Sequence, residues 1–158
     1  MPDYQIQLAE QKEEFEAGAK LFREYAALLK VDLCFQDFEK ELTEIDKQYN
    51  LPGGALLLAI VNGQAVGCAG IRRLAPDACE LKRMFVKPAS RKLGLGVALL
   101  QGALEKAKNL GYKLIRLDTL PEMERAQNLY RQFGFYKIAP YRFNPVQGTV
   151  YMEKRLES

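Results

Sequence analysis

The stretch at residues 80–104, ELKRMFVKPASRKLGLGVALLQGAL, limits the folds open to this chain more than any other. Leu81, Phe85 and Val86 supply strand-forming side chains, and Pro88 ends the strand because it has no N–H to add to a ladder. A basic turn over residues 87–92 leads to two glycines, Gly94 and Gly96. From Val97 onward, Val97, Leu100, Leu104 and Ala107 recur at helical spacing and predict one apolar stripe. Without side chains at Gly94 and Gly96, backbone amides are open to close approach by a ligand. The first amides of any helix lack internal partners and face outward at the positive end of its dipole. Strand, glycine loop and helix mouth together predict an anion site suited to phosphate, with Lys87, Arg91 and Lys92 beside it. The two glycines alone read equally well as a tight strand-to-helix connection under a solvated basic face.

Size and charge narrow the classes. With 158 residues, 48% of them hydrophobic, one domain over residues 1–158 with a substantial core is expected. The net charge of +3 is too small for a strong nucleic-acid binder. The charge is uneven, however. Seven cations (Arg72, Arg73, Lys82, Arg83, Lys87, Arg91 and Lys92) face only Asp77 and Glu80 between residues 72 and 92. Such a patch suits a small polyanion. Cys34, Cys68 and Cys79 make an odd, widely spaced set that argues against a disulfide framework and for a reducing compartment. The chain has no histidine, which removes His-dependent nucleophilic triads and His-ligated metals in their usual form; no metal site is expected. Met1-Pro-Asp-Tyr does not begin a signal peptide, and the longest apolar run, residues 56–61, is strand length. A cytoplasmic location, with no membrane partner, is expected.

Taken in order, residues 3–8 alternate as a first strand through Tyr4, Ile6 and Leu8. Phe15, Ala19, Phe22, Ala26 and Leu29 predict a helix. Phe35, Phe38, Leu42, Ile45 and Tyr49 predict a second helix, capped at Asp32 and broken at Leu51-Pro-Gly-Gly. Residues 55–61 and 64–73 flank Asn62-Gly63, the strongest hairpin signal in the chain. Pro76-Asp77 turns into a strand at residues 79–86. The helix from about residue 96 ends near Asn109 with Gly111 as its stop. Residues 113–119 form a strand. Thr119 and Glu122 stand at capping-box spacing, with Pro121 in the first turn of a helix that ends at Gly134. Residues 135–142 and 148–155 predict two closing strands. There is no linker, repeat or low-complexity segment.

Two motifs carry a resemblance. Arg91-x-x-Gly94-x-Gly96, after a strand and opening an amphipathic helix, resembles the acyl-CoA pyrophosphate loop of the GNAT N-acetyltransferase superfamily. Ala126-x-x-Leu129-Tyr130-x-x-x-Gly134-Phe135 resembles that superfamily's fourth-helix signature. The loop lacks the third glycine of a dinucleotide fingerprint and the lysine of a phosphate-binding P-loop. The resemblance implies an α/β (α+β) GNAT fold, a mixed, mostly antiparallel sheet of about six or seven strands flanked by about four helices.

The resemblance also implies acetyl transfer from acetyl-CoA to an amine, with acetyl-CoA as cosubstrate. The strand backbone at Met84, Phe85 and Val86 would pair with the pantetheine arm. Amides of Lys92, Leu93, Gly94, Leu95, Gly96, Val97 and Ala98, with Arg91, would take the pyrophosphate. Asn128 matches a family CoA contact. Tyr130 matches the tyrosine near the CoA sulfur, and a phenol of pKa ~10 is able to protonate a thiolate of pKa ~8.5. Glu80 is a candidate base on a face shared with Lys82, Met84 and Val86, the alternative being an ion pair with Lys82 or Arg83. Asp118 and Glu122 are further candidates, and an amine already partly neutral needs no base. Arg142 and Tyr141 are candidate acceptor-binding residues, Arg142 through a substrate carboxylate, with Phe35 and Phe38 lining the pocket or filling the core. The acceptor is expected to be a small amine. A protein or peptide acceptor, or a non-catalytic acyl-CoA-binding module, are the other readings, and the oligomeric state is open up to a homodimer.

Overall fold

A computed structural model of the chain describes residues 3–29 and 37–156. The expected cap at Asp32, Phe35 (expected in the pocket or the core) and Cys34 lie outside the described residues. The strands are β1 (Tyr4–Leu8), β2 (Ala55–Val61), β3 (Gln64–Ala75), β4 (Ala78–Val86), β5 (Leu114–Thr119), β6 (Tyr136–Ile138) and β7 (Val150–Arg155). The helices are α1 (Lys12–Leu29), α2 (Phe38–Thr43), α3 (Ile45–Gln48), α4 (Leu95–Asn109) and α5 (Glu124–Gln132). The seven strands form one sheet in the order β1-β2-β3-β4-β5-β7-β6. Every neighbouring pair is antiparallel except β4 and β5, the two strands joined through α4.

The expected hairpin forms, with Asn62 and Gly63 both at positive φ (51° and 77°). Helices cover both faces of the sheet, and this explains why β2, ALLLAIV, is buried almost throughout instead of alternating. On one face Leu95, Leu99, Leu100, Ala103 and Ala107 of α4 pack on Leu57, Ala59, Ile71, Leu81 and Ile115. On the other, Phe15, Leu21 and Phe22 of α1, with Leu42, Ile45 and Tyr49, pack on Leu56, Leu58, Cys68 and Phe85. Val97, expected on the buried stripe of α4, is 41% exposed.

Three predicted elements come out differently. The second helix is two short ones broken at Glu44, next to Thr43, whose hydroxyl donates back to the Glu39 carbonyl at 3.0 Å and competes with the helix ladder. No capping box forms at Thr119 and Glu122, because residues 120–123 make a turn of their own and α5 starts at Glu124 behind an N-cap Met123 without a side-chain bond. The strand expected at residues 135–142 stops at Ile138, two residues before Pro140, which has no N–H for the ladder.

The feature that shapes the site is in β4. Gly70 pairs with Lys82 and Cys68 with Phe85, so β4 carries one more residue than β3 across that step. Arg83 takes up the extra residue at φ 58°. A bulge changes which face later side chains meet. Phe85 therefore belongs to the α1 face, the side on which Arg72 links Glu80 to Gln48 of α3, whereas Met84 and Val86 pack with the α4 face. The expectation that Glu80, Met84 and Val86 share one face is corrected by this extra residue, which periodicity does not reveal.

Candidate active site

β4 and β5 pair only from Ala78↔Leu114 to Glu80↔Arg116. Beyond Glu80 they part, and the edge of β4 that would have met β5 is open over residues 81–86. A small cavity of about 90 Å³ occupies the parting, lined by Lys82 and Met84 from β4, Asp118 and Thr119 from β5, Tyr130 from α5 and Tyr25 from α1. A larger cleft of about 720 Å³ continues past Met84, Phe85 and Val86 to Arg91, Gly94, Gly96 and Val97, walled on its other side by α1, by residues 122–126 and by Leu129. Seven of the residues expected to hold the cofactor thus line one cleft.

The glycine loop is built to stay open. A 3₁₀ turn, Pro88–Leu93, delivers the chain to Gly94, which caps α4 at φ 75°, a conformation that costs other L-residues about 1–2 kcal/mol. A Cβ at Gly94 or Gly96 would meet nothing within 4 Å, so neither glycine is there to relieve crowding within the protein. Arg91 Nε donates to the Val86 carbonyl at 3.0 Å and ties the loop to the end of β4. Leu95 is fully buried and Leu93 packs against the core, which anchors the loop from beneath and leaves their backbone amides as their contribution. Lys92 is exposed and Ala98 is half-buried on the helix; neither side chain lines the cleft. The residues present therefore fit a diphosphate held by main-chain N–H groups.

Tyr130 is buried, with its ring 5.5 Å from that of Phe135. Burial, then the neighbouring Tyr25 phenol and the Asp118 carboxylate, push its phenol well above the ordinary value. Asn128 is exposed, accepts from Arg131 at 2.9 Å and lines neither cleft. Its neighbour Gln127 is buried and donates to the Leu120 carbonyl at 2.9 Å, which holds the β5–α5 turn in place.

Glu80 is fully buried with both carboxylate oxygens occupied. Tyr141 Oη donates to Oε2 at 2.7 Å, and Oε1 accepts from Arg142 at 2.7 Å and from Arg72 at 3.2 Å. Burial pushes this carboxyl up, but the charges of Lys82, Arg142 and Arg72 and the Tyr141 bond outweigh it and hold it below the usual carboxylate range. Tyr141 and Arg142 thus clamp the irregular segment between β6 and β7 onto β4. Phe38 lies under the Arg83 guanidinium, 5.3 Å from ring centroid to Cζ, and packs with the α1-face core instead of lining a cleft.

Sequence reasoning gave no role to the buried pair behind this site. Glu41 of α2 accepts from Arg83 at 2.8 and 3.0 Å and from Tyr49 Oη at 2.8 Å. The partners are 42 and 8 residues apart, and no local pattern marks them. Lys82 was visible as one cation of a basic patch and as a possible ion-pair partner of Glu80; its Nζ lies 3.9 Å from Asp118, and the cations bonded to Glu80 are Arg72 and Arg142. Among the described residues no cluster of acidic, cysteine or histidine side chains is placed to hold a metal ion, and no helix is long and apolar enough to cross a membrane.

A mixed seven-stranded sheet parts here beside a glycine loop and a helix mouth. The model of the acetyltransferase (GNAT) family matches residues 20–135, and the chain belongs to that family. An uncharacterized N-acetyltransferase of Schizosaccharomyces pombe is 40% identical over 139 residues, covering 87% of this chain and 84% of the relative. The crystal structure of a GNAT-family acetyltransferase from Staphylococcus aureus Mu50 aligns with a TM-score of 0.81 at 26% identity, over 98% of this chain and 100% of that one. The structure of yncA from Salmonella typhimurium, which holds its cofactor acetyl-CoA, aligns with a TM-score of 0.73 at 21% identity, over 98% and 94% of the two chains. The fold and family expected from the two motifs are borne out.

Proposed function

We propose that this chain moves the acetyl group of acetyl-CoA onto the primary amine of a small molecule, by direct attack in a ternary complex. The observation that carries the reading is the parting of β4 from β5 directly in line with the open mouth of α4. The unpaired edge over residues 81–86 is ~16 Å long at ~3.3 Å per residue, and it ends beside amides suited to a diphosphate.

Acetyl-CoA, when bound, supplies the activated thioester. Backbone groups of Met84, Phe85 and Val86 pair with the extended arm as a neighbouring strand would. Amides between Lys92 and Ala98 take the diphosphate, with Arg91 and Lys92 adding charge. Fixing the arm on one side of the parting and the amine on the other removes much of the entropy cost of a bimolecular step. Tyr130, kept protonated by burial, gives its proton to the departing thiolate. Asn128 has no part in this scheme.

Glu80 enters as a positioning residue. Its carboxylate is held ionised and is saturated by Arg72, Arg142 and Tyr141, so it shapes the acceptor end of the cleft. An acceptor that is partly neutral at working pH needs no further base. Arg142 Nε is buried with no hydrogen-bond partner among the described residues, which leaves a donor for an anionic group on the acceptor.

The test is calorimetric titration with acetyl-CoA, followed by a free-thiol assay across small amines, amino acids, polyamines and peptides. Saturable binding with thiol release for a small amine is the expected result. No heat and no saturation would overturn the donor assignment. Release with peptides alone would replace the acceptor class, and binding without release across the whole panel would make the protein a non-catalytic acyl-CoA-binding module.

A further inference from the structure

Lys82 is the one lysine lining the cavity between β4 and β5 among the described residues. It lies beyond the last rung shared with β5, two residues before Met84, and shares the cavity with the Tyr130 phenol. Under the function proposed above, on which this inference rests, that cavity is where the thioester carbonyl is presented. We propose that Lys82 is a self-acetylation site, its ε-amine taking the acetyl group of bound acetyl-CoA when no acceptor is present.

The step balances with no further reagent. The neutral Nζ lone pair attacks the thioester carbonyl and forms a C–N bond, the C–S bond breaks, and its electron pair leaves on sulfur. The proton lost from nitrogen ends on that sulfur, relayed through the Tyr130 hydroxyl. The products are an Nε-acetyl-lysine and CoA thiol.

Reactivity needs a neutral amine, and the surroundings favour one. Burial pulls the Lys82 ammonium down to about 8, with Arg83 on its own strand and Arg72 on β3 acting in the same direction. Glu80 on β4 and Asp118 on β5 oppose this without cancelling it. Tyr25 of α1 and Tyr130 of α5 also line the cavity, and both phenols are pushed up and stay uncharged at neutral pH. A lysine at that value is neutral in about one molecule in ten at pH 7, against roughly one in 2,500 for an ordinary lysine. The described cysteines are not rivals. Cys68 and Cys79 are buried, burial pushes both thiols up, and neither lines the cavity. Acetylation would remove the cation that faces Glu80 and Asp118.

Wild-type protein is incubated with acetyl-CoA and no amine at several pH values, then digested and mapped by mass spectrometry, with calorimetry run in parallel. One acetyl group per chain at Lys82 is expected. Its rate should rise about fifty-fold from pH 6 to pH 8 and less than about twofold from pH 8 to pH 9, whereas exposed lysines keep rising about tenfold over that last step. Lys82→Arg, which keeps the charge but offers no neutral amine, should bind acetyl-CoA and yield no adduct there. Saturable binding with Lys82 unmodified, or label spread over exposed lysines at similar rates, would overturn the proposal and leave the donor assignment standing. Absence of binding would overturn both.

Discussion

Tyr130 and Glu41 show how burial changes the charge state open to a side chain. Burial pushes the Tyr130 phenol above its ordinary value and makes it a weaker acid than a free tyrosine, so under the proposed function its use rests on its place beside the leaving sulfur. Replacing it by phenylalanine removes one oxygen from a packed site and should leave acetyl-CoA affinity within about twofold while lowering kcat at least ~10-fold, in keeping with the ~10²–10⁴ that a placed acid contributes. Steady-state kinetics beside calorimetry check this, and an unchanged kcat would remove Tyr130 from the scheme. At Glu41, burial pushes the carboxyl up, and the Arg83 hydrogen bonds and charge more than reverse it. Removing one partner of such a pair leaves a buried charge uncompensated. Glu41→Gln should therefore cost ~3–5 kcal/mol in urea unfolding. Arg83 also sits at a left-handed φ of 58° in the bulge, so the loss should loosen the part of β4 that the proposed arm pairs with. Hydrogen exchange at residues 82–86 reports that loosening separately from global stability.

The connection from β4 into α4 is where an element's backbone geometry, more than its side chains, sets the chemistry. Gly94 and Gly96 differ in a way that separates stability from binding. Gly94 needs its left-handed φ of 75°, so Gly94→Ala should cost ~1–2 kcal/mol of stability as well as weakening acetyl-CoA. Gly96 lies within the first turn of α4 at an ordinary φ, and a Cβ there meets only open space. Alanine is the better helix former by up to ~1 kcal/mol, so Gly96→Ala should leave the melting temperature unchanged or slightly raised. Under the proposed function the same methyl group stands where the diphosphate approaches, and affinity should fall at least ~10-fold. A loss of affinity without a loss of stability is the signature sought; unaltered affinity would move the diphosphate elsewhere.

For the molecule as a whole, buried acids tie distant parts of the chain together. Glu80 joins β4 to Tyr141 and Arg142 near the C-terminal strand and, through Arg72, to Gln48 of α3 at 3.0 Å. Glu41 and Glu80 are both held below their ordinary values in the folded state. Between the folded and unfolded pKa values the unfolded chain binds more protons, so stability rises with pH there and is lost as pH falls from about 4.3 downward. Unfolding followed from pH 6 to pH 3 should show that decline, and Glu80→Gln should make it shallower. A slope unaltered in Glu80→Gln would show that this carboxyl does not take part.

Much of this architecture can be read along the chain. The β2–β3 hairpin, α4 and its glycine loop, and the parts of α5 named by Leu129, Tyr130 and Gly134 each depend on neighbours within about a turn or a ladder rung, and local pattern reports such neighbours. The shape of the glycine loop was legible for the same reason, since Gly94 sets its backbone locally and Arg91 bonds the Val86 carbonyl five residues back. The interior of the site was not. An extra residue at Arg83 reverses which face Met84 and Val86 meet, and it leaves no trace in the hydrophobic alternation before it. The chain alone determined the order of elements and the open helix mouth, because hydrogen-bonding periodicity and backbone freedom are local properties. Only the tertiary structure decided what Glu80, Lys82 and Tyr130 are able to do, because a side chain's charge state is set by burial and by partners that arrive from other strands and helices.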